Sequence, residues 1–187
     1  MMMLMRALML PLLLLAYASQ AGAQGVLIDK SDIRFVSKQM GVNFEGRFRK
    51  WNANVVFLPN NLERSKAEFD IELASIDLES DDSESEIKGP LWFNTAKFPV
   101  AHFASTSMKS LGGDKLEIAG QLTIKGVAKN AIVPIALKKD AAGNTVADGT
   151  FTVKRLDYGI GLGLWADTET VANDVVVRVH IVLPPPK

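Results

Sequence analysis

Lys66-Ala67-Glu68-Phe69-Asp70-Ile71-Glu72-Leu73 alternates without a break between charged and apolar residues. A period of two puts Ala67, Phe69, Ile71 and Leu73 on one face and Lys66, Glu68, Asp70 and Glu72 on the other. That is the pattern of a strand with one buried and one solvated side, which antiparallel sheets commonly show. The same alternation recurs in both directions along the chain. Ile33, Phe35 and Ser37 share a parity, as do Val42, Phe44 and Phe48, and then Val55 and Phe57. Further on, Phe103, the series Leu116, Ile118, Leu122 and Ile124, then Phe151, and the series Val175, Val177, Val179 and Ile181 are apolar against polar neighbours.

Turn chemistry separates these segments. Leu58-Pro59-Asn60-Asn61, Leu111-Gly112-Gly113-Asp114 and Ala142-Gly143-Asn144 punctuate the alternation, and such clusters mark hairpins and loops. The expected fold is all-β, with about eight antiparallel strands in a sandwich or an up-and-down barrel. One stretch, residues 78–98, breaks the pattern. It opens on the acidic run from Glu79 to Glu86 and continues through Trp92-Phe93 to Phe98-Pro99. It reads as a solvated, self-repelling loop with a short helical insertion, its aromatics capping one end of the β structure.

The amino terminus is a different object. Residues 1–23 carry one charge, Arg6, then a leucine-rich run from Ala7 to Ala18, and close on Ala21-Gly22-Ala23. That run of 12 residues is short of the ~20 needed to span a bilayer, and the whole has the form of a cleaved secretory signal peptide. Cleavage before Gln24 leaves the domain of residues 24–187, with no membrane span. Loss of Arg6 leaves 20 basic against 21 acidic residues, a charge of −1. Near-neutrality argues against nucleic acid as a partner. The absence of cysteine excludes disulfides, thiol catalysis and Cys-ligated metal.

Catalytic patterns are missing. The chain has no G-x-S-x-G, H-E-x-x-H or P-loop sequence. Gly159, Gly161 and Gly163 alternate without a following helix, so they read as sites of bending or close backbone approach. His102 and His180 lie on the polar parity and are expected outside, with no metal-ligand spacing between them. The acidic run fails as a calcium loop, because its glycine position is Asp82 and its terminal glutamate position is Lys88. No enzyme activity, metal or cofactor is expected.

What remains is the apolar face. An eight-stranded barrel either fills its interior with side chains or holds one small ligand, and periodicity alone leaves both open. The expected interior is Phe35, Phe44, Phe48, Phe57, Phe69, Ile71, Phe103, Ile118, Leu122, Phe151 and Val177. Lys38, Arg47 and Arg49 (with Lys50 beside them) are candidates for a cationic head-group rim, and Trp51 for a side chain closing over a ligand.

Particular motifs resemble the YceI family. Gln121-Leu122-Thr123-Ile124-Lys125-Gly126-Val127-Ala128-Lys129 followed by Val133-Pro134 is similar to its L-T-I-K-G-V-T-K…P segment. Ala74-Ser75-Ile76-Asp77, Phe103-x-Ser105-Thr106 and Arg155-x-Asp157-Tyr158-Gly159-Ile160 occur in family order. The sequence departs after Asp77, where the family's R-D-x-[HE]-L reads Ser83-Glu84-Ser85-Glu86-Ile87, and at Gln39, where a histidine is usual. The resemblance implies a lipocalin-like barrel, periplasmic, binding an isoprenoid-type lipid or quinone as its amphiphilic partner without catalysis. Lys125 and Lys129 are expected to flank a hairpin rather than touch ligand. The alternative is a structural or stress-related interaction domain with a filled core, and a homodimer is left open.

Overall fold

The computed structural model describes residues 25–185, so the expected signal peptide lies outside the described residues. Ten strands form one antiparallel sheet: β1 (Asp32–Gln39), β2 (Val42–Phe48), β3 (Trp51–Val56), β4 (Lys66–Glu72), β5 (Ile76–Asp77), β6 (Val100–Gly112), β7 (Lys115–Ile124), β8 (Val127–Lys139), β9 (Thr145–Lys154) and β10 (Asp174–Leu183). Their order across the sheet is β3-β4-β6-β7-β8-β9-β10-β1-β2-β5. Short hairpins join β1 to β2 and the run β6–β7–β8–β9, and β10 returns to lie beside β1, pairing Phe35 with Val177.

Ten strands replace the eight expected, for a local reason. Strands β2 and β3 are separated only by Arg49 and Lys50, and β4 and β5 only by the 3-10 turn Leu73–Ser75. The pairings β3–β4 and β2–β5 flank these breaks. The backbone hydrogen bonds Arg49 N to Ser75 O and Glu72 N to Lys50 O, both 3.0 Å, carry the ladder across the corner. Two long strands therefore bend together. The inward parity slips by one residue across the β2–β3 break, from Phe44 and Phe48 to Val55 and Phe57, and each half on its own reads as an ordinary strand. The bend also brings the two ends of the sheet order together, and the sheet curls on itself; a lipocalin-like barrel describes it only approximately.

Ser75 holds the corner from inside. Its Oγ accepts from Lys50 N at 3.0 Å and donates to Glu72 O at 2.6 Å. Leu73 beside it is 1% exposed. Outside, the buried Asp77 carboxylate accepts from Arg47 Nε at 2.7 Å and Arg49 Nε at 2.9 Å.

The expected short helical insertion is present, and the acidic run forms it instead of a self-repelled loop. Asp81–Lys88 is a two-turn helix, α1. Ser80 caps it, its Oγ accepting from Ser83 N. Asp81, Asp82 and Glu84 fall in the first turn and Lys88 in the last. Negative charge at a helix N-terminus offsets the exposed N–H groups there, which is why a sequence this acidic can coil.

The β7–β8 turn is the second departure. Lys125 sits in the turn itself, at φ 51°, followed by Gly126 at φ 78°. Two consecutive positive φ values are the requirement of a two-residue hairpin that matches strand twist. Lys125 Nζ then donates to the carbonyls of Gly159 at 2.6 Å and Pro90 at 3.1 Å, tying the hairpin to two loops at the α1 end. Burial lowers the pKa of this ammonium from its ordinary value.

Candidate functional site

The curled sheet encloses an apolar cavity of about 240 Å³. Its wall is built from rows of side chains in register. Phe69, Phe103 and Leu122 stand opposite one another across β4, β6 and β7. Phe35, Val177 and Phe151 do the same across β1, β10 and β9. Ile71 on β4, Ile118 on β7, Phe44 and Phe48 on β2, and Phe57 just past β3 complete the eleven residues expected inside, and every one of them lines this cavity. Phe35 and Phe48 pack with ring centroids 5.8 Å apart.

The α1 end is capped. Trp92 packs on Trp165 with centroids 5.5 Å apart, and Trp165 Nε1 donates to Glu86 Oε1 at 3.0 Å. Gly161 N and Leu162 N both donate to Leu91 O. At the centre of this cap lies Arg155, 2% exposed, with no carboxylate partner among the described residues. Its donors go to backbone carbonyls instead: Nε to Ala172, Nη1 to Ile160 and Gly161, Nη2 to Trp165 and Val171, all at 2.6–3.0 Å. Five donors meet five acceptors. Gly161 is required there, because a Cβ would stand 2.5 Å from Arg155 Nη1 and its φ is +72°. Burial lowers the pKa of the guanidinium.

The expected cationic rim does not form. Lys38, Arg47 and Arg49 are exposed and none lines the cavity. Arg47 and Arg49 serve the Asp77 corner, where they hold its carboxyl well below the usual carboxylate range. Asp77 in turn raises the pKa of Arg49. Trp51 is no lid either. It is 7% exposed, pairs with Ile71 across β3–β4 and packs on Phe69 at 6.1 Å. Its parity with Val55 marked it as inward, and only its place beside the basic residues suggested a rim.

The residues lining the cavity that sequence reasoning does not reach include three with polar atoms: Ser37, Trp92 and Arg155. Ser37 shares the inward parity of Ile33 and Phe35 but, as a polar residue, is not among the side chains expected inside. Trp92 and Arg155 come from irregular segments where no period operates.

Both histidines lie away from this interior and pair with aspartates directly across the sheet. His102 Nδ1 is 2.7 Å from Asp70 and His180 Nδ1 is 2.5 Å from Asp148. Among the described residues no group of three His, Asp or Glu side chains is placed to hold a metal ion. None of the described helices is long and apolar enough to cross a membrane.

The model of the YceI-like domain matches residues 26–183. The chain belongs to the YceI family. A UPF0312 protein of Azotobacter vinelandii is 31% identical over 173 residues, covering 87% of this chain and 89% of that one. Among solved structures, Burkholderia cenocepacia BcnA superposes with a TM-score of 0.80 at 36% identity, covering 84% of this chain and 98% of BcnA. A polyisoprenoid binding domain from Saccharophagus degradans shares the fold, with a TM-score of 0.71 at 17% identity over 88% of this chain and 99% of that domain.

Proposed function

We propose that this YceI-family chain is a non-enzymatic carrier that holds an isoprenoid-type lipid or quinone in its apolar interior. The observation that carries the reading is the cavity itself, walled by two registered rows of aromatic and aliphatic side chains. A five-carbon isoprene unit gains roughly 3–4 kcal/mol on burial, at ~0.8 kcal/mol per methylene-sized group. Two or three units therefore outweigh association costs of at least ~4 kcal/mol. The polyisoprenoid binding domain of Saccharophagus degradans, with the same fold, supports the choice of ligand class.

The cavity lies just under the ~300–1,000 Å³ usual for small-molecule pockets. The ligand is accordingly slender, and a long chain requires the wall to give or its tail to emerge. The two His–Asp pairs sit outside the cavity, without a nucleophile in the hydrogen bonds they make, which favours binding over hydrolysis. The amino-terminal signal sequence supports a periplasmic location for this carrier, in reach of membrane lipids.

The test is purification from the native host followed by solvent extraction and mass spectrometry of bound lipid. A stoichiometric isoprenoid or quinone is the expected result. Protein that is consistently free of lipid, and that takes up none from native membrane extract, would leave the filled-core interaction domain as the better account.

A further inference from the structure

Two buried polar atoms have no partner among the described residues: Ser37 Oγ and Trp92 Nε1. Ser37 is 5% exposed and Trp92 9%, and both residues line the cavity. A buried donor or acceptor left unpaired is costly, so each such group calls for a cause. Two in one otherwise apolar chamber call for a common one.

The two belong to one end of the chamber. Trp92 lies beneath Arg155, whose Cζ is 5.9 Å from its ring. Arg155 Nη2 reaches the Val171 carbonyl at 2.6 Å, and Val171 bridges to Gln39, two residues beyond Ser37. Ala172 N donates to Lys38 O at 2.9 Å. Ser37, through its neighbours Lys38 and Gln39, and Trp92, through Arg155, are thus both tied to the Arg155–Val171 contact.

We propose that Ser37 and Trp92 form a polar recognition point within the cavity for a neutral oxygen head group, the hydroxyl or carbonyl of an isoprenoid alcohol, phenol or quinone. This rests on the carrier reading and names the chemistry of its ligand. An indole N–H only donates, whereas a serine hydroxyl both donates and accepts, so the complementary group is an acceptor oxygen. An anionic head group lacks what it needs here. Among the described residues Arg155 is the one buried cation lining the cavity, and all five of its donors are already on carbonyls. Arg34 lines the cavity too, but its exposed guanidinium is paired with Asp32 at 3.1 Å. Arg47 and Arg49 are bound to Asp77. A phosphate brought inside would lose its water without gaining a free charged donor.

The experiment compares three probes of one carbon skeleton: farnesol, farnesyl diphosphate and the hydrocarbon farnesane. Each is titrated as a competitor of a fluorescent apolar dye, against the wild type, Ser37→Ala and Trp92→Phe. The wild type is expected to prefer farnesol to both others. Each substitution should weaken farnesol by about five- to tenfold, the scale of one lost hydrogen bond, and change farnesane by less than about twofold. Farnesane corrects for the volume that Trp92→Phe adds, and Ser37→Ala suffices if that variant is unstable. An unchanged farnesol-to-farnesane ratio in the variants would overturn the proposal, with any loss confined to stability pointing to a structural role. So would tighter binding of farnesyl diphosphate than of farnesol. Either result leaves a lipid carrier standing with a different head group, whereas failure of all three probes to bind rejects the carrier reading itself.

Discussion

Arg155 Nη2 donates to the carbonyl of Val171 at 2.6 Å, the shortest of five bonds by which one side chain gathers the loops at the α1 end. The acceptors lie in separate turns, around Ile160, Trp165 and Val171. Replacing Arg155 with Met strands all of them in a buried site. Orphaned buried polar groups cost ~1–3 kcal/mol each where water cannot reach them, so a loss of at least ~3 kcal/mol is expected by urea denaturation. Arg155→Lys, with three donors, should recover only part of it. A loss below ~1 kcal/mol for Arg155→Met would show that the loops are held by something else.

The Asp77 corner should weaken in acid. Arg49 and Arg47 lower its folded-state pKa below that of the unfolded chain, so ionised Asp77 contributes stability fully above about pH 4, near the unfolded value. That contribution is lost as pH falls further towards the folded-state value. Asp77→Asn should therefore be less stable than wild type at neutral pH by an amount that shrinks below about pH 4. Parallel stability curves through that range would assign the corner to packing alone.

Gly120 lies under the Phe103 ring. A Cβ there would stand 2.5 Å from Phe103 Cζ and 2.6 Å from the Ala104 carbonyl oxygen. Because one of these is backbone, Gly120→Ala must move β7 against β6, at a cost of ~1–3 kcal/mol. It should also displace a ring of the cavity wall. Thermal melting and dye binding together check this, and a variant unchanged in both would mean that the ring simply turns aside.

Filling the chamber should block it. Ala147 lines the cavity from β9, and Ala147→Phe puts a ring into the void. The expected result is at least a tenfold loss of farnesol affinity alongside a stability change no worse than ~1–3 kcal/mol. Retained affinity in a folded variant would place the lipid elsewhere.

Most of the chamber was legible because alternation is local information. Residues 67, 69, 71 and 73 declare their face without reference to the rest of the chain, as do Phe35, Phe151 and Val177 in their own strands. The corner is marked only by a one-residue slip of parity between Phe48 and Val55, and the contacts that make it join Lys50 to Ser75, 25 residues apart. For the same reason Arg47 and Arg49 read as a free rim, their partner Asp77 being distant in sequence. The acidic segment misled in a different way: composition favoured repulsion, but the placement of Ser80 and three acidic residues at one helix end decided the outcome. Ser37 had the right parity and the wrong polarity, and that conflict between levels was itself a signal.

The seam between β1 and β10 sets an order of events. Asp32 stands opposite His180, so a chain growing from its amino terminus must present β1 long before its neighbour on that side exists. Contacts of such sequence separation slow folding, because the loop must close before pairing rewards it. The chamber is consequently the last thing this molecule makes. Until residues near 180 arrive, the wall has a gap one strand wide beside β1, with Phe35 and Phe151 facing open solvent on either side of it. Cargo is then either trapped as the seam shuts or admitted afterwards through a finished wall, and refolding in the presence and absence of lipid is a question of timing as much as of affinity.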